Sequence, residues 1–318
     1  MKTISEASLK KAIQAVEAER AKHPVGLRPN RTELAALRKG QRASERMVAE
    51  FLKSTGLDMK KFASLQDDRD AELERIVARQ KADALKRAAR AKDTLHSSIG
   101  PETAAWQELA GREDFFPSPW FSLDTPFLIW PTPLLSIDSD TAPLSSGAKF
   151  KLQASSPPQG SQKVGFYFYW PNPFNDYAVI NAATFISATG HLRAHAPWGL
   201  TSHAADITAY AQFGLWVGLP TSPVSSAYTT QYFGDAHAFS SFLLGPETNG
   251  ASVTAGASLS KALFPVAPGA GVVFEVALVT PYNLQGGDIE ADFQTGDFNI
   301  TCPVVVFSLL NKPPDVMG

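Results

Sequence analysis

The sequence predicts a chain in two parts, a charged helical segment followed by an antiparallel β-sandwich of jelly-roll-like type. Three observations carry this expectation. Residues 1–100 hold only Pro24 and Pro29 and are rich in Ala, Glu, Lys, Arg, Leu and Gln, the strong helix formers. Beyond Pro101, apolar and polar residues alternate in short runs bounded by Pro, Gly, Ser and Asn, the period of strands with one buried face. The charge divides at the same place. Residues 1–100 carry 22 Lys+Arg against 14 Asp+Glu, a net +8, and residues 101–318 carry 7 against 17, a net −10, within a chain of net charge −2. Two segments of different chemistry have been joined.

The first helix is expected from about Ser5 to Lys22, ending before "HPVGLRPN". Asn30 or Thr32 is placed to cap a second, with Leu34, Leu37, Val48, Phe51 and Leu52 on one stripe. "STGLD" breaks the run at Gly56, and a third helix from about Asp67 follows Leu73, Ile76/Val77, Ala84, Ala88, Ala91 and Leu95. Gln41, Ser44 and Gln80 interrupt the apolar seam, so these read as a hairpin or weak coiled coil rather than one long zipper. Such thin stripes bury little area alone and need each other, a second copy or the β domain.

Residues 101–126 read as a connector. "PETAAWQELAGRED" fits one short helix with Pro101 in its first turn. "FFPSPWFSLDTPFLIWPTP" then has too many prolines for a regular helix and too many aromatics for a solvated linker, so it is expected to lie extended along an apolar surface. Residues 127–311 form the sandwich and 312–318 a tail. Its strand runs are 148–154, 163–170, 177–190, 207–219, 237–244, 252–264, 271–282, 289–294 and 297–310. No helical interlude separates them, which excludes a parallel α/β fold, since that needs crossover helices.

Within "GFYFYWPNPFNDYAVIN", alternation puts Phe166, Phe168 and Trp170 on an inner face and Tyr167 and Tyr169 on the other. Tyrosine favours sites where the ring is covered and the hydroxyl reaches a partner. That face therefore reads as sheet packing or subunit contact first, and as a glycan platform, together with Trp198 and Trp216, second. His191 and His195 share a strand face, and His203 with Asp206 follows nearby, a set of metal-binding residue types without a specific motif. Glu290 and Asp292 alternate with apolar neighbours, as on the wet face of an edge strand, and the Asp288–Asp297 spacing is not that of a calcium loop. Glu275, in "VVFEVALV", must be paired if its strand face is buried, and equally fits a solvent-facing strand face shared with Val273 and Ala277.

No nucleophile elbow, phosphate loop or dinucleotide fingerprint occurs, so no catalytic residue and no cofactor is expected. Cys302 is the single cysteine, which excludes an intrachain disulfide. The N-terminus lacks a signal-peptide apolar region and no stretch is long and apolar enough to span a membrane, so the chain is expected to be cytoplasmic as synthesised; action outside a cell would need lysis or an assembled particle. Acidic residues interspersed among the cations of residues 1–100 argue against nucleic acid as the partner; the basic helices are expected to meet the acidic sandwich, within one chain or between copies. The leading expectation is a non-catalytic structural or interaction protein, homo-oligomeric, in a phage-tail-like, virus-like or toxin-like assembly. A lectin-like carbohydrate-binding sandwich is the alternative. Capsid-like packaging of nucleic acid and a metal-dependent jelly-roll enzyme come after it.

Overall fold

The structure is a computed structural model that describes residues 6–22, 46–47, 50, 54, 56, 58–110, 120–132, 135–217 and 228–310. Apart from residues 46–47 and 50, the predicted second helix lies outside them, as do the tail and the first part of the proline-aromatic segment. Among the described residues are helices α1 (Glu6–Lys22) and α2 (Met59–Ala110). Thirteen strands follow: β1 (Trp120–Leu123), β2 (Leu128–Pro131), β3 (Ile137–Asp140), β4 (Gly147–Ala154), β5 (Gln159–Pro171), β6 (Ala178–Ala196), β7 (His203–Val217), β8 (Thr229–Ser240), β9 (Glu247–Val266), β10 (Gly271–Gln285), β11 (Asp288–Asp292), β12 (Asn299–Thr301) and β13 (Val305–Leu309).

The strands form two sheets, and every strand pairing within them is antiparallel. One has the order β2-β5-β10-β7-β8. The other is organised on β6, which pairs along its length with β9 on one side and with β13, β12 and β11 in succession on the other. Strand β4 bonds to β11 and β12, β3 lies outside β4, and β1 outside β13.

Period-2 alternation explains the core. Phe166, Phe168 and Trp170 of β5, Ile207, Phe213 and Leu215 of β7, and Phe274, Val276 and Leu278 of β10 point between the sheets, where they meet Ile180, Ile186 and Leu192 of β6, Ile289 and Phe307. Phe307 alone touches Phe121, Trp170 and Phe274, with ring centroids 5.0–5.4 Å apart. Glycines make room for rings on the outer faces: Tyr167 lies over Gly165, Tyr169 over Gly271 and Tyr228 over Gly214. A methyl group at any of these positions would displace the ring above it.

Each sheet's outer face carries a helix. The i, i+4 pair Leu9 and Ile13 of α1 is buried against Tyr167, Trp216 and Val273 on the β5–β10–β7 sheet. Burying the two side chains is worth about 1.5–3 kcal/mol each. Helix α2 lies on β6 and β9. Val77, Lys81, Ala84 and Ala88 recur at helical spacing on its inner stripe, and the two alanines let it approach Phe298. Of the predicted stripe, Val77, Ala84 and Ala88 are buried and Ile76 is exposed. The expected boundary at Pro101 is absent: α2 begins at Met59, eight residues before the expected Asp67, and runs on through Pro101 to Ala110. At 52 residues it is ~78 Å long at 1.5 Å per residue.

Candidate functional site

The densest polar cluster lies between α2 and the β6 sheet. Lys81 Nζ sits 2.6 Å from both Glu290 Oε1 and Asp292 Oδ2. Asp292 also accepts from the backbone N–H groups of Gln294 and Thr295, at 3.0 and 2.9 Å, and from the Thr295 hydroxyl at 2.6 Å. Burial alone would raise its pKa, but Lys81 and these donors hold it down at about 2. Glu290 is likewise lowered by Lys81 and Gln153 against the opposing effect of burial. Two helical turns earlier, Glu74 clasps Arg193, which also donates to Asp288 at 2.6 Å.

The expectation that Glu290 and Asp292 lie on the wet face of an edge strand is therefore corrected. Strand β11 is bonded to β4 on one side and β6 on the other, and α2 roofs it. Charge on that strand serves helix docking, not edge protection. Lys81 of the +8 segment meets Glu290 and Asp292 of the −10 segment within one chain, whereas Glu74 and Arg193 pair the opposite way.

Two of the three candidate metal ligands flank Arg193. His191 is fully buried against Val77 and Gly250, and neither ring nitrogen has a hydrogen-bond partner. Burial first, and the Lys81 cation second, lower its pKa to about 4. His195 shares a 2.9 Å hydrogen bond with Thr248 and faces Asp70 and Glu74 at 3.6 and 3.8 Å. His203 begins β7, in the other sheet, with its ring against Gly199 and Gly286. The three histidines form no joint coordination set, and among the described residues no group of three or more His, Cys, Asp and Glu could hold a metal ion. Sequence spacing places residues on a face, but not which layer covers it. Exposed His237 pairs with Asp206, whose hydrogen bond raises its pKa.

The four aromatic candidates divide between two places. Tyr167 and Trp216 pack edge to face under α1, ring centroids 6.0 Å apart, which removes them as stacking platforms. Tyr169 is half-buried beside Phe127. With Leu9, Ser122, Leu123, Asp124 and Thr125 these two rings line a cleft of about 330 Å³. Trp198 packs on Phe62 and Phe242 at 5.6 and 5.8 Å, where α2 begins, and donates to the Phe242 carbonyl. A larger, shallow groove of about 570 Å³ runs between α2 and β9 past Lys86, Arg87 and Arg90.

At the end where α2 begins, the last residues of β8 and its turn into β9 leave apolar side chains in water. Leu243 is 88% exposed, and Leu244 and Phe239 are also exposed, as is Leu65 of α2. Arg69 bonds the Leu244 carbonyl, and Gly245 lies against Gln66 and Arg69, which brings Leu65's helical turn to this loop.

Sequence reasoning missed Lys81, Glu74, Arg193, Lys163 and Gln212 as site residues. For Lys81 a signal existed: a cation at the spacing of Val77 and Ala84 on an apolar stripe needs an acidic partner. Glu275, read from sequence as paired or solvent-facing, is fully buried and paired with Lys163.

Fold and surface together define the class: an antiparallel β-sandwich carrying helices on its outer faces. No protein-family model and no curated protein matches the chain. Among solved structures it is similar to TmCBM61 in complex with β-1,4-galactotriose, at 8% identity and a TM-score of 0.21 over 62% of this chain and 92% of that one. It is also similar to CsCBM6-3 from Clostridium stercorarium in complex with cellobiose, at 9% identity and a TM-score of 0.14 over 61% and 93%. The enzymatically active domain of bacteriophage CBA120 tailspike protein 4 matches at 10% identity and a TM-score of 0.18, over 62% of this chain and 20% of that one.

Proposed function

We propose that this protein is a non-catalytic interaction module that assembles into a homo-oligomer or larger particle through the tip where α2 meets the β8–β9 turn. The observation that carries this reading is the exposed apolar set of Leu65, Phe239, Leu243 and Leu244 on one end of the molecule. Clustered apolar side chains in water mark contact surfaces, and the aromatic trio Phe62, Trp198 and Phe242 beneath gives them a rigid base. The test is mass in solution by light scattering, for the full chain and for the double variant Leu243→Asp/Leu244→Asp. A defined oligomer that becomes monomeric in the variant supports the proposal. A full-length chain that is monomeric across a wide concentration range refutes it.

A second reading, glycan binding, rests on a separate observation. The cleft beside α1 sets the half-buried Tyr169 and Phe127 next to Asp124, Ser122 and Thr125, an apolar wall with hydroxyl and carboxylate partners of the kind a sugar ring uses. Retention on immobilised polysaccharide that is lost in Tyr169→Ala, with the fold intact by circular dichroism, is the expected result. Equal retention of both proteins removes this reading.

A further inference from the structure

We propose that Lys163 and Gln212 become joined by an isopeptide bond that the folded chain forms itself, with Glu275 as the proton carrier. The three residues stand on three adjacent strands of one sheet, β5, β7 and β10, with β10 in the middle. All three are more than nine-tenths buried. Glu275 Oε1 accepts from Lys163 Nζ at 2.6 Å and from Gln212 Nε2 at 3.4 Å. The amine and the carboxamide thus share one acceptor atom and lie within two hydrogen-bond lengths of each other. Tyr228 OH donates to the other oxygen, Oε2, at 2.9 Å and fixes the carboxylate's orientation. On the same face β10 presents Ala277 and Val279 beside these groups, and Tyr210 of β7 stands across Val279 from Lys163.

A buried ion pair by itself is a poor stabiliser, because its desolvation cost offsets its Coulomb attraction. This one adds a primary amide to the carboxylate that already holds the amine, which is the set of groups that transamidation requires. Held in one site, the reactants gain the rate advantage of an intramolecular reaction, and the carboxylate is within reach of both nitrogens for proton transfer.

The step balances without a further reactant. Lys163 Nζ gives a proton to Glu275 Oε1 and, now neutral, attacks Gln212 Cδ with its lone pair. The carbonyl π pair moves onto the amide oxygen. Glu275 delivers its proton to Nε2 and takes up a second from the attacking nitrogen. The oxyanion pair then returns to re-form the carbonyl as the Cδ–Nε2 bond breaks. Ammonia leaves and carries off that second proton as ammonium, so Glu275 ends as it began, a carboxylate. The product is a secondary amide tying β5 to β7 across β10.

The test is the intact mass of the purified, folded full-length chain, followed by proteolytic mapping. The expected result is a mass lower than the sequence value by one ammonia, failure of trypsin to cut after Lys163, and a branched peptide linking the Lys163 and Gln212 segments. Glu275→Gln and Gln212→Met are each expected to keep the full mass, Glu275→Gln by losing the proton carrier and Gln212→Met by losing the leaving group. The wild-type chain alone decides the matter if either variant fails to fold. Full mass after prolonged incubation of the folded wild type overturns the proposal. So does loss of ammonia without the branched peptide, which an asparaginyl succinimide would give.

Discussion

Replacing Lys81 by methionine isolates the docking of α2 on the sheet. Methionine keeps most of the stem and removes the ammonium that stands 2.6 Å from both Glu290 and Asp292. Breaking one side of a buried pair costs about 3–5 kcal/mol, because the remaining charge is left uncompensated. Asp292 keeps the Thr295 hydroxyl and two backbone N–H donors, and Glu290 keeps Gln153 and Lys151, so the loss belongs at the lower end, about 3 kcal/mol at pH 7. That is a fall in Tm of roughly 4–6 °C for a chain of this size. The loss also depends on pH with a definite sign. The folded-state pKa of Asp292, about 2, is below its ordinary 3.8, so its stabilisation is present above 3.8 and disappears as pH falls towards 2. In the variant, burial acts without Lys81 to oppose it, so wild type and variant converge in acid. Thermal and urea unfolding of both proteins at pH 7, 5 and 3.5 measures this. A loss below about 1 kcal/mol at pH 7, or one that stays constant down to pH 3.5, refutes the argument that Lys81 neutralises a buried acidic pair.

Three further outcomes follow from the same physical reasoning. His191 titrates at about 4 in the folded chain and at 6.5 unfolded; its contribution is complete above pH 6.5 and is lost as pH falls through that window, about 3 kcal/mol in all, so His191→Leu flattens the stability–pH curve between 6.5 and 4. Ile13→Ala removes a fully buried side chain from the contact of α1 with Tyr167 and Trp216 and costs about 2–5 kcal/mol, read as faster amide exchange in α1 ahead of the sandwich strands. Cys302 is fully buried, which pushes its thiol up to about 12; it is expected to ignore a thiol reagent in the native protein and to react once the chain is unfolded in denaturant.

Local periodicity made much of this protein legible. The runs 148–154, 163–170 and 271–282 fall within β4, β5 and β10, because period-2 alternation is a property of the chain itself wherever one strand face is buried. The first helix, expected over about Ser5 to Lys22, is found over Glu6–Lys22. The inner placement of Phe166, Phe168 and Trp170 follows from the same alternation.

Alternation says which residues share a face, and it is silent on what lies above that face. Glu290 and Asp292 look like solvent-facing charges until α2 is placed over them, with Lys81 more than 200 positions away along the chain. His191 and His203 look like neighbours in the sequence, yet β6 and β7 belong to different sheets. Tyr167 and Tyr169 share one face, yet α1 seals the first and leaves the second beside a cleft. Glu275 was either paired or solvated until β5 and β7 were set on its two sides. Strands and helices were written in local sequence. The site residues were decided by long-range pairing and by which helix landed on which sheet, because burial and charge compensation depend on groups that only the folded chain brings together.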